Sequence, residues 1–340
     1  MKVCVYGAGA IGGSLAVRLS RAGASVSVVA RGAHGQAMRQ SCTASLIAGD
    51  NRVSAAVHCV TDPAELPKQD LVLVTVKVPA LPDIADALVA MTTPSSRIVF
   101  VMNGIPWWFG QKLSVPLPDA VFEPLDPGGK LRRTLLIDQI VGGVIYSSNT
   151  VIEPGIIRST SPRNWIFLGK PDGSSDPQLE EIAALLNCAG YDATVTPMIR
   201  REIWVKMLMV IGGSTVSALT GCELQPLVND PPSRKIMDSL MREGAEIGRA
   251  LGFDLPDDID ERLGYYEDKP GVQPSLLQDF TLGRPVELPS GILAFSAIAV
   301  ALGKPAPTIH TVATLLRMKA VGAKLDRVAA SGLVKPEINA

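Results

Sequence analysis

The amino-acid sequence predicts an α/β fold, in which an N-terminal doubly wound sheet is followed by an all-α C-terminal domain. Two observations carry this prediction. In the first part of the chain, short runs rich in Val and Ile alternate with helical patterns, as they do in βαβ units with a parallel sheet. After Pro197 the strand patterns disappear and only helical patterns continue. We therefore expect a sheet domain over 1–197 and a helical domain over 198–330.

The first elements can be placed closely. The chain begins with a predicted strand over Lys2–Tyr6, a helix over Ala10–Ala22 and a second strand over Ser25–Ala30. Two further apolar runs, 70–78 and 96–104, predict buried strands that end in polar residues. Because ligands of open α/β sheets bind outside the carboxyl ends of the strands, those polar residues become candidates for a site.

The remainder of the first domain is less regular. The segment 110–135 is rich in Pro and Gly and predicts an insertion or a long loop. The runs 139–159 and 164–169 predict strands, with a Pro-Gly turn inside the first run, that extend the sheet in antiparallel fashion. A polar start and a closing glycine predict a helix over 173–190.

The second domain is predicted to consist of helices at 201–221, 231–252 and 308–325. Its apolar run 292–302 is too short to cross a bilayer, so we expect no membrane segment. Its many apolar helix faces make a homodimer plausible.

Composition excludes several classes of protein. The 340 residues carry 32 basic and 33 acidic side chains without a basic block, so we expect no nucleic-acid partner. Five scattered cysteines without a CxxC pair indicate neither a disulfide framework nor zinc, and they fit a cytoplasmic protein. The three histidines show no HExxH spacing, so we expect no metal site.

The glycines at 7, 9 and 12 form the pattern of a dinucleotide-binding Rossmann domain. They follow a predicted strand and open a predicted helix, which is the context that the pattern requires. Gly7 permits a tight turn, Gly9 lets the backbone approach a pyrophosphate, and Gly12 lets the helix pack on the sheet. The N–H groups of the helix start then face the anion. The predicted cofactor-binding segment is Gly7, Ala8, Gly9, Ala10, Ile11 and Gly12.

The end of the second strand indicates which dinucleotide binds. Sites for NAD usually place a carboxylate there for the ribose 2′-hydroxyl, but no acidic residue stands between Ser25 and Gly35. Arg31 arrives as the strand ends, and a guanidinium can hold a 2′-phosphate with paired charge-assisted hydrogen bonds. The sequence therefore predicts NADP(H) as the cofactor.

Seven short motifs, taken in order, resemble one known family. They are "GAGAIGG", "VARGAH", "VTVK", "NGIPWW", "IW-x-K", "SALTG" and "LLQD…GRPVE". Over about 1–320 the chain is similar to the 2-dehydropantoate 2-reductases (ketopantoate reductases). This resemblance implies an NADPH-dependent enzyme of pantothenate biosynthesis, with a Rossmann domain, a helical domain and a small 2-oxo acid bound in a cleft between them.

The resemblance also implies roles for single residues. Lys206 matches the catalytic lysine that protonates the carbonyl oxygen, and Glu287 matches a glutamate near that lysine and the nicotinamide. Asn103 matches an asparagine that holds the nicotinamide end and the substrate. Lys77 matches a lysine at the cofactor, and Ser275 matches a substrate-binding serine. A cation beside the carbonyl suits hydride transfer, because negative charge develops on that oxygen.

The chain departs from the family where the substrate is expected to bind. The family usually has asparagines four and eight residues after the lysine, whereas this sequence has Val210 and Ser214. Gly212 and Gly213 lie between them, and glycine costs a helix roughly 1 kcal/mol relative to alanine. We expect these glycines to mark a close approach, either of a packed helix or of a ligand.

The sequence thus predicts NADPH-dependent reduction of 2-dehydropantoate. Two alternatives stay open because of Val210 and Ser214: a reductase of a more apolar 2-oxo acid on the same fold, and a non-catalytic NADP-binding sensor. For Trp107 and Trp108 two interpretations also stay open, a hydrophobic wall of the cleft or plain packing residues.

Overall fold

The computed structural model describes residues 1–325, which form two compact units. The first unit contains Met1–Met102 and Gly128–Glu202, and the second contains Asn103–Pro127 and the chain from Ile203 onward. The predicted domain bounds stay a prediction, and residues 326–330 of the second predicted domain lie outside the described part. A single domain boundary in the sequence does not anticipate that Asn103–Pro127 belongs to the second unit.

The first unit contains a sheet of eight strands. Its spatial order is β12-β11-β8-β7-β6-β1-β2-β5, and β1 at its middle pairs in parallel with both β2 and β6. A smaller sheet has the order β4-β3-β10-β9. The strands are β1 Lys2–Tyr6, β2 Ser25–Val29, β3 Thr43–Ala48, β4 Asn51–Ala56, β5 His58–Val60, β6 Leu71–Val74, β7 Arg97–Val101, β8 Ile140–Tyr146, β9 Asn149–Glu153, β10 Ile156–Ser159, β11 Trp165–Gly169 and β12 Asp192–Val195.

Helices cover the large sheet and build the second unit. Those that begin in the first unit are α1 Ala10–Arg21, α2 Gly32–Ser41, α3 Leu81–Ala90, α4 Lys130–Thr134, α5 Pro177–Cys188 and α6 Ile199–Met209. Those of the second unit are α7 Thr215–Thr220, α8 Leu224–Asn229, α9 Pro231–Ala250, α10 Ile259–Gly264, α11 Ser275–Thr281, α12 Ile292–Ala301 and α13 Pro307–Gly322. Among the described residues every strand lies in the first unit, so the α/β fold with a helical C-terminal part is confirmed.

The first elements lie where the sequence predicts them. β1 has the predicted bounds, and α1 and β2 each end one residue early. The run 70–78 contributes only four residues to β6, and the run 96–104 only five to β7. The residues after each strand turn away from the sheet, which leaves Lys77 and Asn103 beyond the carboxyl ends.

The prediction of an antiparallel extension at 139–159 is wrong in two respects. β8 pairs with β7 in parallel, and only β11 returns antiparallel beside β8. β9 and β10 leave the large sheet altogether, and β10 pairs with β3 of the hairpin β3–β4, two strands that the sequence analysis missed. The short, half-polar patterns of β3 and β4 carry little period-2 signal, so their pairing with each other and with β10 defines them.

The smaller sheet supports α1, the helix that follows the glycine-rich turn. A Cβ on Gly13 would lie only 2.5 Å from Cδ1 of Ile157 on β10, so this glycine lets the sheet approach the helix. The ring of His34 ties the same sheet to α2, because its Nδ1 accepts a hydrogen bond from the Gly155 N–H at 2.8 Å.

The core of the second unit is built around Trp204. Its ring centroid lies 4.3 Å from that of Phe295 and 5.9 Å from that of Phe109, and its indole N–H donates to the Gly244 carbonyl at 2.9 Å. Trp107 and Trp108 are each only 1% exposed, so they are packing residues. The segment 103–127 thereby belongs to the helical unit.

The predicted helix 201–221 is interrupted. α6 passes into a π-helical segment, Val210–Ser214, before α7 continues it to Thr220. By length and composition the whole stretch Ile199–Thr220 could cross a bilayer, but 67% of its most apolar window is buried inside the protein, as in the core helix of a globular protein. Within residues 1–325 it is the one helix with this property.

Candidate active site

In the glycine-rich turn after β1, the absence of a side chain at each glycine has a different explanation. Gly7 has φ +98°, and a Cβ there would lie 2.7 Å from Val76. A Cβ on Gly12 would lie 1.9 Å from the Gly7 carbonyl oxygen. Gly9 differs from both: its φ is −60°, and an added Cβ would meet no atom within 4 Å. The fold therefore explains Gly7 and Gly12 but not Gly9.

The open space beside Gly9 fits a dinucleotide. Gly9 is exposed and caps α1 without a side-chain hydrogen bond, and no acidic residue lies in the first turn of the helix. The N–H groups at this helix start are donors for an anion, and the helix dipole favours negative charge there. A pyrophosphate that lies against Gly9 explains why this position has no side chain.

Arg31 stands at the end of β2, where the ribose end of a dinucleotide would be recognised. It caps α2 and is exposed, and the first turn of α2 contains no acidic residue. Burial raises the pKa of the Tyr6 hydroxyl, and the neighbouring Arg31 guanidinium, which hydrogen-bonds to it, opposes that rise. Lys77 follows β6 at the same edge of the sheet and is partly buried.

Thr75 is a residue of this turn that the sequence analysis did not single out. Its hydroxyl donates a hydrogen bond to the carbonyl of Gly7. The hint in the sequence is the motif "VTVK", in which a threonine follows a buried strand. That hint is weak, because a threonine after a strand has many possible partners.

In the second unit, Lys206 and Asn103 come together. The Lys206 ammonium donates a hydrogen bond to Oδ1 of Asn103 at 2.7 Å. The two residues are 103 positions apart in sequence, and both were predicted site residues. Trp204, buried two residues earlier on α6, holds that helix in the core, so the lysine is presented from a rigid element.

Burial changes the chemistry of Lys206. It lowers the pKa of the ammonium from its ordinary value of 10.5 to about 8, since the charged form loses hydration. An amine with this pKa is still largely protonated at neutral pH, but it gives up its proton more readily than an exposed lysine. A lysine poised in this way suits a general acid.

Glu287 lies in a segment that packs directly on the residues beside Asn103. The Ile105 N–H donates to the Ser290 carbonyl at 2.7 Å, and the Ser290 hydroxyl donates to the Glu287 carbonyl at 3.3 Å. Gly104 has φ +99°, and a Cβ there would lie 2.5 Å from Ser290. The close contact between "NGI" and "ELPSG" brings Glu287 into the neighbourhood of Asn103, whereas an ion pair between Glu287 and Lys206 stays a prediction.

The helix face beyond Lys206 is mostly apolar. Between 203 and 218, the residues that are not fully buried are Lys206, Met209, Val210 and Ser214. Val210 and Ser214 are the first and last residues of the π-helical segment. π-helical segments occur frequently at functional sites. The four residues, which we call the Lys206 stripe, form the surface that a substrate of this lysine would meet.

The two glycines inside the π-helical segment have a packing role. A Cβ on Gly212 would lie 2.6 Å from Cγ of Met241 and 3.2 Å from the carbonyl of Met237, both on α9. A Cβ on Gly213 would lie 3.2 Å from Leu224. Of the two interpretations of these glycines, close approach of a packed helix is the one that the structure supports.

Ser275 begins α11, and its role in binding substrate stays a prediction. The loop before it is fixed by Glu223, which the sequence analysis did not identify. The Glu223 carboxylate accepts hydrogen bonds from the Gly271 N–H at 2.9 Å and from the Gln273 amide at 3.1 Å.

Over residues 1–325 no group of three His, Cys, Asp or Glu side chains could hold a metal ion.

Together, these features define a class of protein. A glycine-rich turn on a mainly parallel sheet, followed by a helical unit that presents a partly buried lysine, is typical of a Rossmann-type oxidoreductase that uses a nicotinamide dinucleotide, NAD(P).

Comparison with known proteins identifies the family. The family model described as "Ketopantoate reductase PanE/ApbA" matches residues 3–173, and its C-terminal counterpart matches 198–320. A curated 2-dehydropantoate 2-reductase from Mesorhizobium japonicum is 34% identical, over 94% of this chain and 98% of its own length. The chain belongs to the ketopantoate reductase family, whose members are oxidoreductases that act on a 2-oxo acid.

Solved structures agree with this assignment. A crystal structure described as a ketopantoate reductase from Ralstonia solanacearum matches with a TM-score of 0.87 and 31% identity, over 95% of this chain and 99% of that one. A D-mandelate dehydrogenase solved with NADH and anilino(oxo)acetate matches with a TM-score of 0.80 over 96% of this chain. Its identity of 16% shows a shared fold alone.

Proposed function

We propose that this protein reduces 2-dehydropantoate to pantoate with NADPH, a step of pantothenate biosynthesis. The observation that carries the proposal is the hydrogen bond of 2.7 Å between the Lys206 ammonium and Asn103, at a lysine whose pKa burial lowers to about 8. This geometry supports Lys206 as the acid in the reaction type of the family.

The reaction needs one hydride and one proton. NADPH supplies the hydride to the carbonyl carbon when it is bound. As the carbon–hydrogen bond forms, the carbonyl π electrons move to the oxygen, and the Lys206 ammonium stabilises that developing charge. Lys206 then transfers its proton to the oxygen, which gives the 2-hydroxy acid and a neutral amine that solvent reprotonates.

Asn103 directs the ammonium. Its Oδ1 accepts a hydrogen bond from one of the three N–H groups of Lys206, which limits rotation of the amine. A neutral amide orients the amine without adding a negative charge, which would raise the pKa of the ammonium.

Use of NADPH in preference to NADH is supported by Arg31 and by the lack of an acidic residue around the end of β2. We expect Arg31→Asp to raise the KM for NADPH far more than the KM for NADH, because the carboxylate repels the 2′-phosphate. Comparable rates of the parent protein with the two cofactors would contradict this preference.

The decisive experiment measures NADPH consumption with a panel of 2-oxo acids. We expect 2-dehydropantoate to give the highest kcat/KM, ahead of 2-oxoisovalerate, which lacks its hydroxyl, and of phenylglyoxylate. A clear preference for either of these two over 2-dehydropantoate would reject the proposed substrate.

A second candidate substrate is a 2-oxo acid with an apolar side chain. The Lys206 stripe favours it, because Val210 and Met209 offer no hydrogen bond to a substrate hydroxyl and Ser214 offers a short one. Val210→Asn and Ser214→Asn separate the candidates. If 2-dehydropantoate is the substrate, each asparagine should improve its turnover relative to 2-oxoisovalerate, whereas no change or a loss would contradict this account of the stripe.

We further infer a cytoplasmic location, because the five cysteines are free thiols and three of them, Cys42, Cys188 and Cys222, are exposed.

A homodimer also stays a prediction. Light scattering on the purified protein measures its mass in solution and decides between a monomer and a dimer.

A further inference from the structure

The carbonyl groups of the glycine-rich turn must be held away from any phosphate that binds there. A carbonyl oxygen carries partial negative charge and would repel a pyrophosphate, whereas the N–H groups attract it. Since a turn has no neighbouring strand to accept all of these groups, side chains from elsewhere must fix its peptide planes. Thr75, outside the glycine pattern, is placed to do so.

Thr75 follows β6 and reaches the turn after β1. Its backbone N–H donates to the Tyr6 carbonyl at 2.9 Å, which fixes its position relative to β1. Its hydroxyl donates to the Gly7 carbonyl. The third glycine of the pattern makes room for this pair, because a Cβ on Gly12 would lie 2.4 Å from the Thr75 hydroxyl oxygen.

The hydrogen bond on Gly7 also determines where the next N–H points. In a trans peptide the carbonyl of one residue and the N–H of the following residue point in opposite directions. No cis peptide occurs among the described residues, so holding the Gly7 carbonyl toward Thr75 turns the Ala8 N–H to the opposite side. Free rotation of this peptide plane would instead let the carbonyl face the anion.

We propose that Thr75 is a positioning residue for the dinucleotide: its hydroxyl orients the Gly7–Ala8 peptide so that the Ala8 N–H is available to the pyrophosphate. This inference rests on the proposed function only in that a dinucleotide binds at the turn. The inference predicts a change in affinity for the pyrophosphate alone. It involves neither binding of the 2′-phosphate nor the chemical step.

The test compares three variants of the full chain. Thr75→Val removes the hydroxyl at nearly constant volume, and Thr75→Ser retains it. Thr92→Val is the matched control, since Thr92 donates to the Leu88 carbonyl at 2.7 Å in the same unit but after α3. We expect the NADPH Kd, measured by fluorescence titration, to rise roughly tenfold in Thr75→Val. Thr75→Ser and Thr92→Val should stay within about threefold of the parent.

A fragment that lacks the pyrophosphate separates positioning from loss of structure. Calorimetric titration with 2′-AMP should give the same Kd for Thr75→Val as for the parent. Equal loss of affinity for 2′-AMP and NADPH, or an unchanged NADPH Kd in Thr75→Val, would overturn the inference. A parent protein that binds neither NADPH nor NADH would overturn the proposed function itself.

Discussion

Two regions of this protein are rich in glycine, the turn that begins α1 and the π-helical segment beyond Lys206, and they use glycine for different reasons. In the second region both Gly212 and Gly213 face other side chains at close range. In the first region Gly7 and Gly12 are also required by the fold, but the space beside Gly9 is open. A glycine that packing does not explain is the one that indicates a ligand.

This difference between the two sets of glycines indicates that the two units have different roles. The first unit offers backbone N–H groups and a helix start, which suit an anion but carry out no chemistry. The second unit uses its glycines to bring α6 and α9 together, and thereby fixes the helix that presents Lys206. Substitutions in the first region should therefore change binding, and those in the second should change the reaction or the stability.

The largest effect is expected for Lys206→Ala. Loss of the acid should lower kcat for NADPH oxidation by roughly 10²- to 10⁴-fold, while the NADPH Kd changes little. Stopped-flow and equilibrium titration measure the two quantities separately. A variant that binds NADPH and turns over as fast as the parent would remove Lys206 from the mechanism.

The pH dependence of kcat/KM tests the same role of Lys206 as the acid. Because the ammonium is the reactive form for reduction and its pKa is about 8, kcat/KM should fall as the pH rises through about 8. The reverse reaction needs the neutral amine, so its rate should rise over the same interval. In Lys206→Ala both of these pH dependences should disappear; their persistence would assign the titration to another group.

The next effect is on stability. Gly212→Val should lower the free energy of unfolding by about 3 kcal/mol, because the added atoms overlap Met241 and the Met237 carbonyl. Gly322→Ala is the matched control, since an added Cβ at this helical position meets no atom within 4 Å. It should leave stability unchanged or slightly higher. Chemical denaturation compares the two, and an equally stable Gly212→Val would contradict the packing role.

A smaller effect is expected for Gly9→Ala. The φ of −60° suits any residue and the Cβ has room, so the free energy of unfolding should stay within about 0.5 kcal/mol of the parent. The NADPH Kd should nevertheless rise roughly tenfold, because the methyl group occupies the approach of the pyrophosphate. If affinity is retained, the ligand that we infer from the open space does not lie there.

The smallest effect concerns His34 in the first unit. Burial lowers its pKa, so the unfolded chain takes up a proton before the folded protein does. Stability should therefore fall as the pH decreases below the ordinary histidine pKa of about 6.5. His34→Gln should reduce this dependence, and His58→Gln, at an exposed position, should retain it. Thermal unfolding between pH 7.5 and 5.5 measures both.

Local patterns were sufficient for the parts of the fold in which local and tertiary preferences agree. The elements β1, α1 and β2 were predicted nearly to the residue, because an apolar run, three glycines and a second apolar run each have one favourable arrangement. Two strands of the smaller sheet, β3 and β4, were missed for the opposite reason. They are short and half-polar. They pair with each other, and β3 is joined to the rest of the sheet by β10, about 110 residues away in sequence.

The candidate site also contains residues that the sequence predicted and residues that it did not. The glycine turn, Arg31, Lys206 and Asn103 are visible as motifs, and the hydrogen bond between the last two is a new fact that the structure adds. Thr75 and Glu223 were not predicted, because each acts on a backbone group distant in sequence and ordinary residues of their type have many other possible partners.

By itself the sequence determined the fold class and singled out the glycine-rich turn and Lys206 as candidates, since these depend on spacing along one strand or one helix. Tertiary structure alone decided that residues 103–127 pack with the helical unit, that a π-helical segment follows Lys206, and that burial lowers the pKa of its ammonium. Burial, close packing and the pairing of distant segments arise only when the chain has folded, and so no window of the sequence contains them.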